Sequence, residues 1–172
     1  MRRIKVLAVV GAAVAVAAAL LVPGITASAN PGTILRFETM SPVTGPYVGT
    51  ANPIRGVPGG GLPWVIQSGS GTLQRDGHLK VRVRGLVLAG QAPVPPGLQL
   101  TNPVPDFKAV VSCMSVSAQG AATVVNVSTG PFAASKEGDS RIEARVGLPR
   151  PCIAPIVFVT SPTGAWFAAT GS

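Results

Sequence analysis

Glycine and proline punctuate this chain closely, and no stretch after residue 30 has helical periodicity long enough to compete with strands. They supply 35 of the 143 residues from Asn30 to Ser172, near the level at which disorder competes with folding. What lies between them decides the matter. Short runs of Val, Ile, Leu and Phe alternate with polar residues and end at turn signals, so the spacing predicts short strands joined by ordered turns.

The first strand is expected over Thr33–Glu38. A 23-residue loop with five Pro and six Gly follows from Ser41 to Pro63, then a short apolar segment, Trp64–Gln67. A hairpin is expected over Gly69–Leu88 and a second Pro-rich connection over Gly90–Asp106. Further strands are predicted over Phe107–Val116, Ala122–Ser128, Arg141–Leu148, Ile156–Thr160 and Ala165–Ala169. Arg141–Leu148 alternates cleanly, with Ile142, Ala144, Val146 and Leu148 on one face and Arg141, Glu143 and Arg145 on the other. That is the pattern of a half-exposed antiparallel strand. Seven to nine such strands imply an all-β fold, an antiparallel β-sandwich of immunoglobulin-like or Greek-key type, with a small β-barrel as the alternative.

The hairpin around Asp76-Gly77 yields its register. A two-residue turn would set Leu73 against Lys80 and Gln74 against Leu79, apolar against polar. A three-residue loop, Arg75-Asp76-Gly77 with Gly77 left-handed, sets Leu73 against Leu79, Thr72 against Lys80 and Ser70 against Arg82. Register follows the buried face, so the three-residue loop is expected. Lys80, Arg82 and Arg84 then share one face with Ser70 and Thr72, while Leu79, Val81 and Val83 share the other. Gly85 is expected to mark a bulge.

The N-terminus reads as an export signal. Arg2, Arg3 and Lys5 precede an uncharged run, Val6–Val22, then the helix breaker Pro23-Gly24 and the small-x-small site Ala27-Ser28-Ala29. This order predicts a signal peptide over 1–29, cleaved after Ala29, and a single secreted β domain over 30–172. An uncleaved anchor is the alternative, since the apolar run nearly reaches bilayer length; the breaker and the cleavage site favour removal. No membrane association is expected after cleavage. Without the three leader cations, 11 Lys and Arg remain against 6 Asp and Glu.

Cys113 and Cys152 are the only cysteines. In an oxidising compartment such a pair reads as a disulfide, worth about 4 kcal/mol for its 39-residue separation in the chain-entropy account. With a single histidine, His78, a four-ligand Cys/His metal site cannot be assembled. No metal or cofactor is implied.

No catalytic residue stands out. His78 belongs to the hairpin tip, where a triad base would lack a fixed nucleophile. Glu38 and Asp106 flank the Pro-rich loops and are the best carboxylate pair for a hydrolase. Lys80, Arg82 and Arg84 form a row with about 6.8 Å between neighbours, a candidate anion-binding face suited to cell-wall phosphate or acidic polysaccharide. The competing explanation is a solvated strand face with edge-protecting cations. Aromatics are not interleaved with these cations, which argues against nucleic acid as the partner. Tyr47, Arg55 and Trp64 form a candidate loop patch, although Trp64 reads better as a plug at the end of the sandwich.

Arg36–Pro46 (RFETMSPVTGP), Asn52–Trp64 (NPIRGVPGGGLPW), Ala154–Ser161 (APIVFVTS) and Ala165–Gly171 (AWFAATG) resemble segments of exported hypothetical proteins from high-GC Gram-positive bacteria. The resemblance implies secretion and one domain, and no chemistry. The function expected is therefore a non-enzymatic binding module at or outside the cell envelope. The alternatives are an extracellular hydrolase using Glu38 and Asp106, and a protease inhibitor presenting Leu148-Pro149-Arg150-Pro151-Cys152.

Overall fold

The computed structural model describes residues 32–170; the signal peptide and cleavage site expected from the sequence lie outside the described residues. The hairpin takes the three-residue form. Gly77 is left-handed at φ +85°, its N–H donates to the Gln74 carbonyl at 3.0 Å, and the His78 N–H donates to Asp76 Oδ1 at 3.0 Å. Leu73 faces Leu79, Thr72 faces Lys80 and Ser70 faces Arg82. The apolar set of the second hairpin strand is buried and its cations are exposed.

The described residues form twelve strands in chain order: β1 (Thr33–Phe37), β2 (Ser41–Pro42), β3 (Trp64–Val65), β4 (Ser68–Gln74), β5 (His78–Arg84), β6 (Val87–Leu88), β7 (Asp106–Val116), β8 (Ala122–Ser128), β9 (Phe132–Ala133), β10 (Ser140–Arg145), β11 (Ile153–Thr160) and β12 (Trp166–Ala169). Eight have four or more residues; the other four are two-residue pieces too short to show alternation. One sheet has the order β1-β4-β5-β10, and the larger has the order β2-β12-β11-β7-β8, with β9 also on β7. All strand pairs are antiparallel. Neither sheet closes on itself, so the architecture is a two-sheet sandwich and not a barrel.

The core lies between the sheets. Leu73, Leu79, Val81, Val83 and Ile142 from the smaller sheet meet Phe107, Ala109, Val111, Val157 and Val159 from the larger. Gly71, on the inner face of β4, makes room for the Phe37 ring; a Cβ there would collide with that ring and with the Lys80 carbonyl. Trp64 is buried, stacked on Phe167 with centroids 3.9 Å apart and edge-on to Phe107 at 6.3 Å.

Two expectations change. The 41–63 segment is not a structureless loop. Its backbone supplies partners that β12 would otherwise lack: β2 pairs with Ala168 and Ala169, and the Gly60 N–H donates to the Trp166 carbonyl at 2.8 Å. Gly85 is left-handed at φ +60° and ends β5 instead of bulging within a continuous strand. The chain leaves the sheet there, and β6 pairs with β3 in a separate ribbon.

Cys113 on β7 is bonded to Cys152, which precedes β11, at a Cα–Cα distance of 4.9 Å. β7 and β11 are neighbours in the larger sheet, so the bond ties two strands of one sheet.

Candidate functional site

The outer face of the smaller sheet gathers the cations. On β5, Lys80, Arg82 and Arg84 are exposed while Leu79, Val81 and Val83 are buried, because strand side chains alternate between faces. β10 adds its own outward set. Arg141 lies directly opposite Arg82, Glu143 opposite Lys80, and Arg145 opposite His78. On the other side of β5, Ser70 is opposite Arg82 and Thr72 opposite Lys80, and Arg36 of β1 continues that row. A hollow of about 380 Å³ opens among Arg36, Glu38, Ser70, Lys80, Arg82, Arg141 and Glu143.

Charge is unevenly balanced across this face. Lys80 Nζ lies 3.0 Å from Glu143 Oε1, and His78 Nε2 lies 3.1 Å from the same oxygen. These two neighbours, Lys80 first, hold the Glu143 carboxyl below the ordinary range. Asp76 is also held low, chiefly by the His78 backbone N–H and then by Arg145, whose Nη1 is 2.8 Å from Asp76 Oδ2. Among the described residues, Arg36, Arg82, Arg84 and Arg141 have no carboxylate within ion-pair distance. Arg82 and Arg141 are thus a cross-strand like-charge pair without a counter-ion among the described residues.

The candidate loop residues separate. Trp64 belongs to the core and offers no surface. Tyr47 is exposed, with its ring 6.4 Å from that of Trp166. Arg55 turns onto the larger sheet, where its Nη1 donates to the carbonyls of Ala154 at 2.8 Å and Ser112 at 3.1 Å. Its own carbonyl accepts from Asn126 Nδ2 at 2.9 Å. The three do not form a common patch, because the core takes the indole and the β7–β11 backbone takes the guanidinium.

Glu38 lines the hollow on the smaller sheet, whereas Asp106 opens β7 in the larger one and does not line it. The Leu148–Cys152 segment, with Ile34, Arg75, Asp76 and Val146, walls a second hollow of about 600 Å³. Among the described residues no three His, Cys, Asp or Glu side chains cluster as metal ligands. The alternation in β5 and in β10 was legible in the sequence, but their adjacency was not; Arg141 and Arg36 join the site through pairings between distant segments. No family model matches the chain, and neither a curated protein nor a solved structure shows significant similarity to it.

Proposed function

We propose that this protein is an exported, non-enzymatic binding domain that holds an anionic polymer of the cell envelope, a wall phosphate or acidic polysaccharide, on the outer face of its smaller sheet. The observation that carries the reading is the Arg82–Arg141 pair. Like charges directly opposite on neighbouring strands are unfavourable, and no protein carboxylate among the described residues offsets them. A phosphate or carboxylate between them would, with the two guanidinium forks suited to such oxygens and Ser70 beside them. Both perturbed carboxylates on the hairpin side of this face are pushed down, whereas a general acid working near neutrality needs to be pushed up. The disulfide fits an oxidising compartment outside the membrane.

The test is retention on isolated cell walls. Two variants, Lys80→Gln/Arg82→Gln/Arg84→Gln and Arg82→Gln/Arg141→Gln, should both lose retention while keeping the native circular dichroism spectrum. Wild-type retention should weaken as salt shortens the Debye length from about 10 Å at 0.1 M to about 3 Å at 1 M. Unchanged retention in both folded variants would overturn the proposal.

A further inference from the structure

β8 (Ala122–Ser128) forms the outer edge of the larger sheet, paired only with β7. The bonds just beyond its two ends show which way its backbone faces. The Ser117 N–H donates to the Ala121 carbonyl at 2.8 Å, and the Thr129 N–H donates to the Ala109 carbonyl at 2.9 Å. Antiparallel pairs alternate between bonded and non-bonded, so Thr123, Val125 and Val127 bond to β7. Ala122, Val124, Asn126 and Ser128 therefore point their N–H and C=O groups outward, and among the described residues no backbone group meets them.

Sheet edges normally carry protection against pairing: charge, proline, brevity or a bulge. The other three edges here have it. β1 carries Arg36 and a register shift, β2 is two residues long and ends in Pro42, and β10 carries Arg141, Glu143 and Arg145. β8 reads ATVVNVS, with no charge and no proline, and its register on β7 is unbroken over seven pairs. Beside it on the outer face, Val124 and Ile153 flank Met114 on either side, and Val116, Val124 and Ile153 are exposed.

We propose that this edge pairs with β8 of a second copy of the chain, antiparallel about a two-fold axis beside Val125. In that register Ala122 meets Ser128 of the second copy, and Val124 meets its Asn126. Every outward N–H and C=O of both strands then finds a partner. Val125 faces its own counterpart, Thr123 faces Val127, and no charge opposes a charge. This self-complementarity selects a second copy over a foreign strand. Outward residues pair with outward residues, so the axis is perpendicular to the joined sheet. The smaller sheets of both copies then lie on the same side of it, and their two basic faces are presented together. A chain polymer reaching both would gain by effective concentration. That gain rests on the function proposed above; the pairing itself does not.

Sedimentation velocity on purified protein, over a series reaching about 1 mM, the weak end of specific association, should show a concentration-dependent dimer. Val124→Lys places cations beside the axis and should raise the dissociation constant at least about tenfold, whereas Val124→Thr should leave it near wild type. The register is tested separately by mixing Thr123→Cys and Val127→Cys proteins under oxidising conditions. Non-bonded antiparallel pairs stand about 4.5 Å apart at Cα, within disulfide reach, so the mixture should cross-link while neither variant alone does. A monomer throughout the series, as a site for a foreign strand would give, overturns the inference. So does a dimer indifferent to Val124→Lys, or cross-linking of either variant with itself. Wall retention plays no part in these readouts, so the two proposals fail separately.

Discussion

Glu143 sets the charge balance of the basic face. Its carboxylate engages Lys80 and His78 and draws Lys80 away from any bound anion, while Arg82 and Arg141 keep their charges uncommitted. Glu143→Gln should therefore strengthen retention on anionic walls about two- to fivefold, the range expected for one exposed pair. The same carboxylate makes stability depend on pH in a defined direction. Its folded-state pKa is below the ordinary 4.5, so its contribution is complete above that value and is lost as pH falls through the lowered one. Acid denaturation profiles of wild type and Glu143→Gln should accordingly converge at low pH. At this scale the sequence was partly legible. The outward set Arg141, Glu143 and Arg145 follows from alternation within one strand. That Glu143 reaches Lys80 depends on β10 lying beside β5, and no local pattern encodes that. Trp64 shows the opposite limit: an indole next to a long loop reads either as surface or as a plug at the end of the sandwich, and the core between Phe167 and Phe107 takes it.

The β4–β5 hairpin was the most legible element, because a buried face on both strands admits one register and the turn chemistry matches it. Gly77 is where that match is enforced. It is left-handed, its carbonyl accepts the Val146 N–H at 3.0 Å, and a Cβ would strike the Val146 carbonyl. Gly77→Ala should thus cost at least about 1–2 kcal/mol for the backbone conformation alone, read as a lower urea midpoint. Gly61→Ala, at a position with open space around it, should fall within about 0.5 kcal/mol of wild type. The two-residue strands β2 and β9 escaped the sequence reading, β3 was visible only as a short apolar segment and β6 only as the end of the hairpin, because alternation needs four residues or more to be visible. Their positions are set by edges and carbonyls elsewhere in the fold. The 41–63 segment is the main case, since its order comes from bonds to β12, more than a hundred residues later.

At the level of the whole molecule, the sandwich followed from strand spacing and the disulfide from there being only two cysteines, while the division of strands between sheets stayed hidden. The Cys113–Cys152 bond restrains the larger sheet. Cys113→Ala should lower stability by about 2–4 kcal/mol, and adding Cys152→Ala should cost little more, because the two act as one unit. Equilibrium urea unfolding reads both, and non-reducing peptide mapping of wild type should yield one cross-linked peptide. The strand order also governs when the molecule can come into being. β1 enters one sheet and β2 the other, yet β2 is held by β12, and β10 completes the first sheet from beyond residue 140. A chain emerging N-terminus first can pair β1, β4 and β5 early, but it leaves β5 without β10 and β2 without β12 until residues 140–169 have followed. Each sheet is thus completed by joining an early strand to a late one, β5 to β10 and β2 to β12.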